Sequence, residues 1–334
     1  MFTLSVLSYN ACNEDQKNIY YRLNVPRIEL KSCCKAVLAN IKDPSRWNIS
    51  MVYENATIKA AENGHLTCLK YAYENNCRWD TFTATSATHN LECLKYVIDN
   101  GCPTDTSVCS KAAEIGNLES LRFAHENGCA WNADTTWYAG INGHLDCLKY
   151  ACENGCVWDK DVTRVAAENG YLHILKYAHE NGGPWDDQVI EGAVVGGHLN
   201  CLVYARENGC PWNSIVTPLA AEFGNLECLK YAAENGCPMS HSTASEAAEN
   251  GRLNCLMYAH ENGCPWDEST TCMAAANGHL KCLMYAHQNG CPWNEYLIKN
   301  ALRNEYFDCV RYAYENGCPN KLNKETIDFI NSQL

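Results

Sequence analysis

Long apolar runs are missing from this sequence of 334 residues. No stretch approaches the about 18 consecutive apolar residues that a membrane-spanning helix needs. The opening segment, MFTLSVLSYNACNEDQ, also lacks the basic region and the small-residue cleavage site of a secretory signal. We therefore expect a soluble protein in the cytoplasm, and we do not expect a membrane as its partner.

Basic residues are also few. The chain has 26 Lys and Arg against 39 Asp and Glu, a formal net charge of −13, and its basic residues form no run. A protein of this charge is a poor ligand for nucleic acid, because phosphate binding needs clustered positive charge. No nucleophile, base and orienting residue recur together, and no glycine-rich phosphate loop is found. We predict a protein that is not an enzyme and needs no cofactor.

The chain does contain a repeat. NGHLTCLKYAYENNC at residues 63–77 returns as NGHLDCLKYACENGC at 142–156 and as NGHLKCLMYAHQNGC at 277–291. From Cys102 onward the residue after the second Asn-Gly recurs every 27 positions and is Cys in every unit except at Gly183. A regular period of this length indicates a stack of identical supersecondary units.

Two helices fit into each unit. The first helix is predicted to begin at an N-cap residue such as Asp80, Asp159 or Asn213, and a small Ala follows seven residues later. The second helix carries a wide apolar arc of Leu, Cys, Tyr and Ala. It ends at Asn-Gly, where glycine supplies the left-handed cap. A recurrent Trp is predicted to cover the seam between units, and recurrent late histidines such as His125 are predicted to have surface or capping roles.

These residues resemble a known family. AAENGHLTCLKYAYENNC and AAEFGNLECLKYAAENGC are similar to the second half of an ankyrin repeat. The resemblance implies an all-α solenoid of about ten stacked helix-turn-helix repeats over residues 55–318, and protein recognition without catalysis. The unit is shorter than the family's and leaves no room for β-hairpin fingers. Short units ending in NGCPWD are similar to those of large DNA viruses and some protists, which would place the protein in a host cytoplasm or in a virion.

The recurrent cysteines allow three interpretations. They can be small buried hydrophobes, a ladder of disulfides between cysteines nine residues apart, or metal ligands in His-x-x-Cys pairs such as His144 and Cys147. The metal interpretation conflicts with the replacement of this His by Asn225 and Arg252 where the Cys is kept. The disulfide interpretation conflicts with helix geometry, although Ile174 and Gly183 replace both cysteines of one unit. Core packing is favoured, and no metal is expected.

Variation between units indicates where specificity lies. Paired small or β-branched residues on the first helix are predicted to face inward, and the two positions that follow them vary most and are predicted to face outward, including Ser110 and Val165. We expect a partner protein to bind this concave surface. The candidate residues are Trp137, Tyr138, Arg164, Glu191, Leu219, Glu246, Met273 and Lys299.

The ends of the chain differ from its middle. Residues 1–54 are predicted to form an N-terminal capping segment, and residues 319–334 a C-terminal capping helix. Within the first segment, Cys34-Lys35 followed by Asp43-Pro44-Ser45 and Trp47 faintly resembles the later part of an F-box. A true F-box would make the protein a substrate receptor that binds a ubiquitin-ligase adaptor. A third hypothesis is a structural component of a viral particle, and the partner could equally be a host protein.

Overall fold

The computed structural model describes residues 57–74 and 77–320, and these residues form helices and turns with no strand. Residues 57–62 are helical, and nineteen further helices follow. They are α1 (Leu66–Glu74), α2 (Thr81–Ala87), α3 (Leu91–Asp99), α4 (Thr106–Glu114), α5 (Leu118–Glu126), α6 (Ala133–Ile141), α7 (Leu145–Glu153), α8 (Val162–Glu168), α9 (Leu172–Glu180), α10 (Asp187–Gly196), α11 (Leu199–Glu207), α12 (Val216–Phe223), α13 (Leu226–Glu234), α14 (His241–Glu249), α15 (Leu253–Glu261), α16 (Glu268–Ala276), α17 (Leu280–Gln288), α18 (Tyr296–Arg303) and α19 (Phe307–Glu315).

The helices form ten consecutive pairs, each with a first helix (residues 57–62 and the even-numbered helices) and a second helix (the odd-numbered helices). The chain divides into two compact units, which meet in sequence at Asp159 and Lys160. Within each unit, first helices pack beside first helices and second helices beside second helices. The predicted all-α stack of helical pairs is therefore confirmed. Among the described residues, no helix is long and apolar enough to cross a membrane.

Side-chain caps start many of the first helices. The carboxylates of Asp80, Asp105, Asp186 and Asp267 each accept a hydrogen bond from a backbone N–H in the first turn. Such a bond satisfies one of the donors that a helix start leaves unpaired. The prediction is less accurate at Asp159 and Asn213, where α8 begins only at Val162 and α12 only at Val216.

Most turns in the described pairs rely on glycine, but the first turn of the second pair, at residues 88–90, has none, and Glu305 takes the left-handed conformation in the first turn of the last pair. Gly101 ends α3 with φ +77°, and Cys102 N–H then donates to Val97 C=O at 2.9 Å across the left-handed residue. This is a Schellman closure, which a residue with a Cβ would strain. It turns the chain sharply enough for the next helix to start within a few residues.

The core consists of small and medium side chains. The recurrent alanine of the first helices, for example Ala139, Ala220 and Ala274, is fully buried throughout the described pairs, as predicted. Each second helix adds a buried Leu or Val, such as Leu148. Of the 20 cysteines in the described residues, all are free thiols and 18 are buried. The favoured interpretation of the cysteines as core groups is confirmed.

Candidate functional site

The first helices present one face to the core and one face outward. Their buried face carries threonines that donate to the linker leading into the next pair: Thr136 to Val157 C=O at 3.1 Å and Thr271 to Pro292 C=O at 2.8 Å. A buried hydroxyl with such a partner avoids the cost of an unpaired polar group. The inward face is therefore fixed by hydrogen bonding as well as by packing.

All eight candidate residues lie on first helices, and none of them is buried. Trp137 and Tyr138 lie in the unit that ends at Asp159, and the other six lie in the unit that begins at Lys160. Met273 and Lys299 are exposed, and the other six are half-buried. The eight candidate side chains therefore all reach the surface, although six of them are partly covered by neighbouring residues.

The prediction that every variable position faces outward is wrong at three places, Ser110, Val165 and Gly192. Ser110 is 6% exposed because its hydroxyl folds back and donates to Thr106 C=O at 3.0 Å. Val165 is 3% exposed and belongs to the core. Gly192 is buried between α10 and α8, where a Cβ would collide with the carbonyl oxygen of Arg164, so these two helices approach too closely for a side chain.

Aromatic and charged groups give the two units different surfaces. The rings of Trp137 and Tyr138 meet edge to face with centroids 4.9 Å apart, so they form one amphipathic pair on α6. Arg164 on α8 is held by Glu168 at 2.7 Å and by Asp161 at 3.8 Å. Its guanidinium is already paired within its own helix turn, which limits what it can offer to a partner.

Glu246 on α14 carries a perturbed carboxyl group. Partial burial raises its pKa, and repulsion from Glu249 and Glu222 raises it further. Three carboxylates therefore influence one another on the first helices of this unit. A cation placed beside Glu246 would offset the repulsion and lower the pKa of its carboxyl group.

A second recurrent cluster joins the second helices. The His125 ring stacks on Trp131 with centroids 3.6 Å apart, and its Nδ1 lies 3.0 Å from the Tyr150 hydroxyl of the next second helix. Trp131 also meets Tyr150 edge to face. The same set recurs with these residues: His179, Trp185 and Tyr204; His260, Trp266 and Tyr285; His287, Trp293 and Tyr312.

These clusters confirm that Trp covers the seam between pairs, but they correct the surface or capping role predicted for the histidines. Each histidine is a link between successive pairs. In two units where it is replaced, another flat group takes its place on Trp: Tyr73 stacks on Trp79 with ring centroids 3.9 Å apart, and Arg206 lies 4.5 Å from the Trp212 ring centroid. In a third unit the position is Cys152. The signal in the sequence that could have revealed these clusters is that His, Trp and Tyr recur together at fixed spacing.

The residue after the first-turn glycine explains why His, Asn and Arg can exchange there. His144 Nε2 lies 3.1 Å from Glu114 C=O, Asn225 Nδ2 donates to Val194 C=O at 2.7 Å, and Arg252 Nε donates to Glu222 C=O at 3.1 Å. All three reach carbonyls near the end of the preceding first helix, where helices leave carbonyl groups with spare capacity to accept hydrogen bonds. In these three units the residue is used for a hydrogen bond to a carbonyl, and the described residues contain no group of three or more ligands that could hold a metal ion.

The cysteine that follows the second turn has a recurrent partner. The thiol of Cys210 donates to Asp186 C=O at 2.8 Å, and that of Cys264 to Ser240 C=O at 3.2 Å, so each closes the pair onto the residue where it began. Burial raises the pKa of the Cys210 thiol to about 12 and that of Cys264 to about 11. These cysteines stay protonated near neutral pH and make poor nucleophiles.

Comparison with known proteins finds similarity among solved structures. No protein-family model matches the sequence, and no curated protein matches it. Among solved structures, the human ASB11 ankyrin repeat domain is similar at 19% sequence identity, with a TM-score of 0.41 over 47% of this chain and 84% of that chain.

Proposed function

We propose that the protein is a non-catalytic scaffold that binds a partner protein through the outward face of its first helices. The supporting observation is that the first helices keep a constant buried face and vary on the exposed one. Stacked helical pairs offer extended concave surfaces for binding. Variation there changes what is bound without disturbing what holds the stack together.

In the first unit the proposed anchor is the Trp137 and Tyr138 pair. Large aromatic side chains contribute most of the binding energy at many protein interfaces. Alanine at both positions should abolish capture of the partner in a pull-down with the full chain and leave the thermal melting curve unchanged. A matched control is Asp146→Ala, which lies on the exposed face of the adjoining second helix. Unaltered capture by the double variant would remove this pair from the proposal.

In the second unit the proposed surface comprises Arg164, Glu191, Leu219, Glu246, Met273 and Lys299. The mutual repulsion of the carboxylates around Glu246 favours a partner that brings a positive group to this place. Glu246→Gln should then weaken capture, and salt should weaken capture by the parent protein more than by the variant. Glu261→Gln on a second helix serves as the control. Equal salt dependence of the parent and variant would contradict a cationic contact.

A second candidate function is supported by the sequence of residues 1–54, which lie outside the described residues. The Cys34-Lys35 and Asp43-Pro44-Ser45 segments, with their resemblance to an F-box, favour a substrate receptor for a ubiquitin ligase. Capture of a Skp-type adaptor by the full chain, and its loss when residues 1–54 are deleted, would support this role. Failure to capture the adaptor would leave these residues as a cap.

A further inference from the structure

The chain places Asn-Gly at two kinds of turn. The first turns, between the two helices of a pair, have it at Asn63, Asn142, Asn169, Asn250 and Asn277. The second turns, which follow the second helix, have it in nine successive pairs: Asn100, Asn127, Asn154, Asn181, Asn208, Asn235, Asn262, Asn289 and Asn316. Asn followed by Gly is chemically labile, because glycine has no side chain to hinder attack by its backbone nitrogen on the asparagine amide.

Locally the two kinds of turn are alike. Asn262 in a second turn donates from Nδ2 to Tyr258 C=O at 2.8 Å, and Asn250 in a first turn donates to Glu246 C=O at 3.0 Å. The following Gly263 and Gly251 have φ of +77° and +68°. Dipeptide sequence, side-chain hydrogen bond and backbone conformation therefore do not distinguish them.

Coverage by the next pair does distinguish them. Nothing lies within 4 Å of a Cβ built on Gly263, and the same holds for the other second-turn glycines. A Cβ on Gly251 would stand 2.5 Å from the His279 ring, and one on Gly170 would stand 2.5 Å from the His198 ring. Asn262 and its glycine are exposed, whereas Asn250 and its glycine are half-buried.

We propose that the nine second turns are the deamidation sites of this protein and that the covered first turns are protected. In the reaction the glycine nitrogen bonds to the asparagine Cγ as the Cγ–Nδ2 bond breaks, and the amide nitrogen leaves as ammonia with the proton from the glycine N–H. Water then opens the cyclic imide at either carbonyl carbon and gives aspartate or isoaspartate.

Coverage of the glycine slows deamidation because closure of the imide ring requires the glycine to move. Closure requires rotation about the asparagine ψ angle, which swings the peptide plane and moves the glycine. The hydrogen bond from asparagine Nδ2 and the glycine N–H bond to the helix must also open. In a second turn the glycine moves into solvent. In a first turn it must displace the side chain of the following pair, so opening is more costly.

The product would mark the turn permanently. A carboxylate replaces a donor beside the last carbonyls of the second helix, where the helix dipole disfavours negative charge. Isoaspartate also lengthens the backbone at a turn that depends on a left-handed glycine. We therefore expect the modified pairs to lose local stability.

The test compares the two kinds of turn within one folded full-length chain. After incubation in mildly alkaline buffer, peptide mass spectrometry measures Asp and isoAsp at Asn262 and Asn289 against Asn169, Asn250 and Asn277. We expect the second turns to react about tenfold faster, which corresponds to about 1.4 kcal/mol of additional opening free energy at the first turns. In denaturant the difference should disappear. Equal rates in the folded protein, or faster first turns, would overturn the proposal.

Uncovering one first turn provides an independent test. His279→Ala removes the ring above Gly251 and should raise the rate at Asn250 toward that of Asn262, which stays unchanged. Tyr306→Ala should do the same for Asn277, because the Tyr306 ring covers Gly278. Circular dichroism checks that both variants fold. An unchanged rate at the uncovered asparagine of a folded variant would contradict the role of coverage, and the comparison within the parent chain decides the matter if a variant does not fold.

Discussion

Replacement of Ser120 by cysteine is expected to stabilise the protein. Ser120 occupies the position on α5 that corresponds to Cys93 on α3 and Cys147 on α7. It is fully buried, and its hydroxyl has no hydrogen-bond partner. In the unfolded chain the same hydroxyl is bonded to water, so burial removes a bond that the fold does not replace. A thiol is a weaker hydrogen-bonding group than a hydroxyl, so its burial costs less free energy. It is also larger, so it makes more van der Waals contacts in the core.

The size of the effect follows from this unpaired hydroxyl. An unsatisfied buried hydroxyl costs about 1–3 kcal/mol, and we expect Ser120→Cys to recover about 1–2 kcal/mol of local unfolding free energy. Ser120→Ala should recover less, because it removes the hydroxyl and leaves unfilled space. The reverse change, Cys147→Ser, should destabilise α7 by a similar amount, since Cys147 is 1% exposed.

Native-state hydrogen exchange is the suitable assay. Repeat stacks do not unfold in one step, so a single melting temperature would average over pairs that are not affected. The amides of α5 should gain protection in Ser120→Cys, and those of α7 should lose protection in Cys147→Ser. Reduced protection of α5 in the first variant, or unchanged protection of α7 in the second, would refute the reasoning.

Three further predictions concern the turns, the caps and the thiols. Gly251→Ala should lower the stability measured by urea unfolding more than Gly263→Ala does, because both incur the left-handed cost of about 1–2 kcal/mol and only the first also collides with a histidine ring. Asp267→Ala should cost about 1 kcal/mol by loss of the N-cap. A hydrogen bond from a serine hydroxyl lowers the pKa of Asp267. The stability that the Asp267 carboxylate contributes should therefore be fully present above the unfolded-state pKa and be lost as the pH falls through the folded-state pKa. Acid titration of the parent and the variant measures this loss. Iodoacetamide should label Cys152 and Cys272, the two half-buried thiols of the described residues, before the buried ones, with mass spectrometry as the measurement.

The helical pairs could be predicted from the sequence because their signals are local. The capping carboxylate of Asp80, the buried Ala139 and the left-handed Gly101 each depend on residues within one pair. Spacing along the chain therefore revealed them. The same reasoning missed the late start of α8 and the buried position of Val165, because both depend on how one pair packs against others.

Contacts between pairs were harder to predict. The sequence shows that His125, Trp131 and Tyr150 recur, but it does not show that the tyrosine comes from the next second helix. The exchange of His144 for Asn225 or Arg252 argued against a metal site without revealing what these residues share. Their common property is a donor that reaches a carbonyl about 30 residues earlier in the chain, and only coordinates bring those atoms together.

The distribution of these internal contacts supports the choice of surface for binding. Along the second helices, links such as that between His125 and Tyr150 use side chains to join one pair to the next. At the first turns the residue after glycine is committed to a carbonyl of the preceding pair, and at the linkers the Cys210 thiol is committed to the start of its own pair. Substitution at any of these positions changes the stack itself. The exposed positions of the first helices carry fewer such contacts, and this favours the proposal that a partner binds there.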